Sequence, residues 1–135
     1  MRTTTIIRGN SGSIGSDVVA LVIRNNKTIL NVSNFAWLTY LKLIGTKVET
    51  IETCDQLNAL CIRTNNKITH LQQLTQLEDV ECVDCNQLVY MDLHQATKVQ
   101  VESCESLAVV TLPKCVSLTL KHCRMLSYLS LGTHL

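Results

Sequence analysis

The chain has 135 residues, 46% of them hydrophobic, with a formal net charge of +1. One ordinary domain with a continuous core is therefore within reach, whereas a nucleic-acid or anionic-membrane surface would need a basic block that is missing. No apolar run approaches the roughly 18 residues of a membrane-spanning helix.

Residues 1–15 follow no repeat and read as an N-terminal cap and turn. The β-prone run Thr3 to Ile7 predicts a capping strand over the open end of a core, and the Gly/Ser stretch Arg8 to Ser16 a turn. Gly9, Gly12 and Gly15 lack the Gly-Lys-Ser/Thr sequel of a phosphate loop.

From residue 16 to residue 135 the apolar residues recur with a period near 19. The clearest copy carries Cys104, Leu107, Val110, Leu112, Cys115, Leu118 and Leu120, then restarts at Cys123. The two-residue spacings, Val110/Leu112 and Leu118/Leu120, are those of strands with one buried face. A self-similar unit of this length is the signature of a solenoid. Coils start near Ser16 and at Phe35, Cys54, Cys85 and Cys104, with a half-coil from Cys123, so about six coils with parallel strands are expected. The restart at Cys85 comes twelve residues late. The surplus, near residues 69–80, keeps Leu71, Leu74 and Leu77 and reads as an insertion with a helical or 3₁₀ turn on the outside. Asn26 and Asn65 follow strands where the coil must turn, and an amide there can satisfy backbone groups that a buried corner would orphan.

Six of the seven cysteines occupy repeat slots that want a small apolar residue, which favours free thiols used as filler. A disulfide between stacked rungs stays open on distance alone, because strands lie about 4.8 Å apart. Cys82-Val83-Asp84-Cys85 is a CxxC without a second pair, and it falls on a strand and its turn, so neither zinc nor redox chemistry is expected. His70, His94, His122 and His134 show no ligand or catalytic spacing. No catalytic constellation, metal or cofactor is expected, and the chain reads as a non-enzyme. The N-terminus lacks a signal-peptide pattern; with reduced cysteines this points to an intracellular protein unless the sequence is a piece of a secreted one. The sequons at Asn26 and Asn31 matter only in that second case.

Leu57 to Asn65, reading LxxLxIxxN and followed by NKITHLQQLTQL, resembles the internalin style of the leucine-rich repeat superfamily. CxSLxxVTLPxxV, from Cys104 to Val116, is similar to the cysteine-bearing repeats of BspA-type proteins of bacteria and protists. The second half of the repeat is shorter here, so a short strand is expected where many such repeats have a helix. The resemblance implies a right-handed β-solenoid of leucine-rich-repeat type and a protein-binding scaffold, often an adhesive one.

Stacked coils align outward residues in columns. In the frame above, one column reads Tyr40, Ala59, Tyr90, Val109, Tyr128 and the next Lys42, Cys61, Asp92, Thr111, Ser130. Tyrosine gives large contact area at low entropy cost, so Tyr40, Lys42, Tyr90, Asp92 and Tyr128, with Trp37 as a further anchor, are the candidate binding residues. The competing reading is cross-strand packing that only supports the sheet. The opposite column, Thr50, Gln100 and Thr119 with Glu52, Glu102 and Lys121, reads as a solvated face. The expected partner is another protein. End-to-end association with a second copy is the alternative, since nothing polar or helical covers Leu126 to Leu131 in the sequence. A polysaccharide-active β-helix enzyme ranks last, because Asp92 stands alone in its column.

Overall fold

The computed structural model describes residues 3–8, 18–25, 38–51 and 54–132. Eleven strands occur among them: β1 (Thr3–Arg8), β2 (Val18–Arg24), β3 (Tyr40–Ile44), β4 (Ala59–Arg63), β5 (His70–Leu71), β6 (Asp79–Val83), β7 (Tyr90–Asp92), β8 (Lys98–Glu102), β9 (Val109–Leu112), β10 (Ser117–Lys121) and β11 (Tyr128–Leu131). They form two sheets in which every pairing is parallel. A long sheet has the order β1-β2-β3-β4-β6-β8-β10, and a short one the order β11-β9-β7-β5. The chain is a β-solenoid. Each turn contributes a strand to the long sheet, and from β5 onward a strand to the short one as well.

The register states the repeat directly. Ala20, Tyr40, Ala59, Asp79, Lys98 and Ser117 are successive neighbours across the long sheet, at spacings of 20, 19, 20, 19 and 19 residues. Alternation does the rest. In β3, Leu41 and Leu43 are fully buried while Tyr40, Lys42 and Ile44 flank them on the outer face. The same inward pairs recur as Leu60/Ile62, Val80/Cys82 and Val99/Val101. Met91 and Val110 line the short sheet's inner side, so the core is a stack of apolar layers between the two sheets. Truncating one such leucine to alanine would cost about 2–5 kcal/mol.

Two sequence expectations are corrected. Residues 69–80 are not an insertion: β5 begins the short sheet there, Asp79 pairs with Ala59 in the normal register, and the expected turn is a single tight one, Leu77 N–H to Leu74 O (3.3 Å), before β6. The twelve surplus residues are half a coil. Both halves of a coil share one local plan, a tight turn followed by a strand, as in Leu57 N–H to Cys54 O (3.1 Å) before β4 and Leu88 N–H to Cys85 O (3.2 Å) before β7. The apolar pattern therefore reads the same in either half, and counting from Cys54 to Cys85 slips from one sheet to the other. For the same reason the tyrosine column is divided. Tyr40 lies on the long sheet, in the column of Ala59, Asp79 and Lys98. Tyr90 and Tyr128 lie on the short sheet, with His70 and Val109.

The predicted N-terminal strand is β1, which extends the long sheet by pairing with β2. Trp37, Asn26, Asn31 and the glycine-rich turn lie outside the described residues.

From β2 onward each long-sheet strand is followed by a left-handed residue: Asn25, Gly45, Thr64, Asp84, Ser103 and His122, with φ between 55° and 63°. This bend turns the chain inward while keeping the ladder, as Gly45 N–H donates to Arg63 O at 2.9 Å and Thr64 N–H to Val83 O at 2.9 Å. Next to it comes a buried corner column. Asn65, fully buried, donates through Nδ2 to Val48 O (3.1 Å) and Thr46 Oγ1 (3.4 Å), and its Oδ1 accepts from the Lys67 (2.8 Å) and Ile68 (2.9 Å) amides. The amide does what its position after β4 predicts. Cys85 and Cys104 occupy this corner in the next coils, their thiols donating weakly to Ile62 O and Cys82 O at 3.7 Å.

None of the seven cysteines forms a disulfide; six are buried and Cys123 is half-buried. Both thiols of the CxxC are accounted for as structure, Cys82 inward on β6 and Cys85 at the corner.

Candidate functional site

The outer face of the long sheet carries a shallow depression of about 260 Å³. Small Ala59 at its centre leaves the notch. Tyr40 and Lys42 of β3, Asp79 and Glu81 of β6, and Lys98 and Gln100 of β8 stand around it at alternate strand positions. Tyr40 and Lys42 are thus brought together as the sequence predicts, but with Asp79, Glu81 and Lys98 rather than with Tyr90, Asp92 and Tyr128.

Beside the notch is a charged cluster. Arg63 Nη2 lies 3.1 Å from both oxygens of Glu81, and the Cys61 thiol donates to Glu81 Oε2 at 2.9 Å. The Cys61 hydrogen bond, then Arg63, hold the Glu81 carboxyl below the usual carboxylate range against its partial burial. Burial and Glu81 push the Cys61 thiol up to about 11. At neutral pH that thiol stays protonated, which makes it a hydrogen-bond donor and a poor nucleophile. Cys61 sits at an outward position yet is only 8% exposed, whereas Arg63 stays largely in solvent. Burial and the nearby Cys61, Glu81 and Asp79 also raise the Tyr40 phenol. The Gln100, Thr119, Glu102 and Lys121 positions, expected on a separate solvated face, belong to this same long sheet. What sequence reasoning missed was the cluster: Cys61 and Arg63, two residues apart on β4, meet Glu81 on β6 only in the correct register.

The short sheet presents a different surface. His70, Tyr90, Val109 and Tyr128 form one outward column, with Asp92, Thr111 and Ser130 beside it. The Tyr90 hydroxyl donates to Asp92 Oδ2 at 3.2 Å, and the His70 and Tyr90 rings lie 5.6 Å apart at 39°. His94 Nε2 stands 2.9 Å from Asp92 Oδ1, at ion-pair distance but without an aligned hydrogen bond. Among the described residues no group of three or more His, Cys, Asp or Glu is arranged to hold a metal ion, and no helix is long and apolar enough to cross a membrane.

No protein-family model matches the sequence, and no curated protein matches it. Among solved structures, the chain is similar to an internalin (inlF) from Listeria monocytogenes, at 17% identity and a TM-score of 0.39. That alignment covers 87% of this chain and 43% of the internalin, so the chain spans less than half of that protein. So loose a likeness carries no functional inference, and the solenoid architecture stands on the strand register itself. A BspA-type relationship finds no match.

Proposed function

We propose that the chain is a non-catalytic protein-interaction module that works through the outer face of the long sheet. The observation that carries this reading is the notch over Ala59, walled by Tyr40, Lys42, Asp79 and Lys98 and bordered by the hydrogen-bonded Arg63–Glu81–Cys61 cluster. A partner side chain seated against Tyr40 would gain aromatic contact and a choice of charges at the rim. Tyrosine anchors of this kind dominate binding energy, while the surrounding contacts exclude water. Parallel strands held at both ends by stacked turns supply the rigid support that a preorganised surface needs.

Immobilised wild-type chain and its Tyr40→Ala and Lys98→Glu variants would be compared for a partner identified by mass spectrometry and then purified. Direct binding that both variants weaken, with circular dichroism unchanged, supports the reading. Binding that neither variant alters contradicts it.

A second reading, end-to-end association with another copy, is favoured by one observation. Leu129 and Leu131 are 42% and 36% exposed, although Val110 and Leu112, the residues they stack on, are fully buried. Light scattering over a concentration series tests it: a dimer that Leu129→Lys abolishes supports association, and a monomer throughout contradicts it.

A further inference from the structure

We propose that the short-sheet face binds a neutral β-1,4-linked hexose polymer, laid across the coils and stacked on Tyr90 and Tyr128. The site is distinct from the long-sheet notch, and neither reading depends on the other.

The geometry comes first. His70, Tyr90, Val109 and Tyr128 are in-register neighbours, so they form a straight outward strip running along the solenoid axis. Leu71, Met91 and Val110, which follow the first three, are fully buried, and Tyr128 continues the same column in register with Val109. Tyr90 and Tyr128 are two coils apart, about 9.6 Å at the ordinary inter-strand distance. A β-1,4-linked hexose chain is a flat ribbon that advances by nearly one inter-strand spacing per sugar. Alternate sugars present the same face, so two tyrosines at this separation meet equivalent rings while Val109 sits under the sugar between them.

Ring attitude and chemistry agree with this. The bond from the Tyr90 hydroxyl to Asp92, two residues on along the same face, ties the ring down along its strand instead of letting it stand into solvent. Tyr128 is 56% exposed, leaving most of its ring for contact. The neighbouring column continues from Asp92, which holds Tyr90, to Thr111 and Ser130, whose hydroxyls line the edge of the strip where sugar hydroxyls project. Charge complementarity selects a neutral ligand. The Asp92 carboxylate accepts the Tyr90 hydroxyl through Oδ2 and has the His94 imidazole 2.9 Å from Oδ1, and none of the other residues of the two columns is an acid, a lysine or an arginine. A polyanion would find no lysine or arginine within either column.

The test is calorimetric titration of the full chain with cellohexaose and, separately, chitohexaose. Binding of at least one is expected. Tyr90→Ala and Tyr128→Ala should each weaken it about tenfold or more, the loss that follows from removing one stacking platform, and Tyr40→Ala, on the other sheet, should leave it unchanged. Should an alanine variant fail to fold, ring-proton shifts in the wild-type chain carry the test, with Tyr90 and Tyr128 moving on titration while Tyr40 stays. No binding of either hexasaccharide at millimolar concentration would overturn the proposal. So would binding indifferent to both short-sheet tyrosines, or a protein partner that Tyr128→Ala loses while no oligosaccharide binds.

Discussion

Replacing Asn65 with alanine probes the corner on which the coils turn. The side chain is fully buried and makes four hydrogen bonds, two donated to Val48 O and Thr46 Oγ1 and two accepted from Lys67 and Ile68. Alanine leaves the Val48 carbonyl and the Ile68 amide buried without these partners. Each orphaned buried group costs about 1–3 kcal/mol, so a loss of about 4 kcal/mol is expected from the two, with Lys67 and the vacated volume adding to it. Asn65→Cys installs the residue that the following coils use. Its thiol can donate to a carbonyl but cannot replace an acceptor of two amides, so an intermediate loss is expected. Asn65→Asp keeps the acceptor, removes the donor and buries a charge, and should not rescue. Urea unfolding followed by far-ultraviolet circular dichroism reads these differences, with the m-value checked because repeat arrays can unfold in parts. A loss below about 1 kcal/mol for Asn65→Ala would refute the corner's assigned role.

Other consequences follow from the same geometry. Thr64 adopts φ 57° at a turn where the first coil has Asn25; a β-branched residue is disfavoured there, so Thr64→Asn should stabilise by about 0.5–1 kcal/mol in thermal unfolding. Gly45→Ala should destabilise, since φ is +63° and the new Cβ would lie 3.1 Å from Asn25 Oδ1; a cost of about 1–2 kcal/mol is expected. Glu81 has a lowered pKa, so its contribution is full above the usual carboxylate range and is lost as pH falls through the lowered value. Glu81→Gln should therefore cost about 1 kcal/mol or less at neutral pH, given the exposure of Arg63. That difference should shrink as pH falls through the lowered value, as paired melting curves would show.

The period near 19, the parallel strands and the inward residues were legible because burial on one face forces a two-residue alternation that no other element reproduces. Asn65 was legible too, as a polar residue at a turn inside an apolar ladder. The phase of the repeat was not. Cys54-x-x-Leu57-x-x-Leu60-x-Ile62 and Cys85-x-x-Leu88-x-x-Met91-x-Leu93 have the same apolar spacing, yet one leads into the long sheet and the other into the short. Only pairing tells them apart. That single half-coil slip created the supposed insertion at 69–80 and the supposed column joining Tyr40 to Tyr90 and Tyr128. The left-handed corner was half legible, since Asn25, Gly45 and Asp84 are residues that tolerate it, while Thr64, Ser103 and His122 give no such signal. The Arg63–Glu81–Cys61 cluster depends on side chains about one coil apart, and a wrong phase disperses it.

Both functional proposals rest on which residues share a sheet, and one measurement addresses that directly. Through-space proton contacts across parallel strands, observed by nuclear magnetic resonance on uniformly labelled chain, report nearest neighbours. The register places Ala59 beside Asp79 and Tyr90 beside Val109 and His70. Contacts between Ala59 and Asp79, and none between Ala59 and Tyr90, are the predicted result. Contacts between Ala59 and Tyr90 would restore the insertion, reunite the tyrosines in one column and contradict the two-faced solenoid.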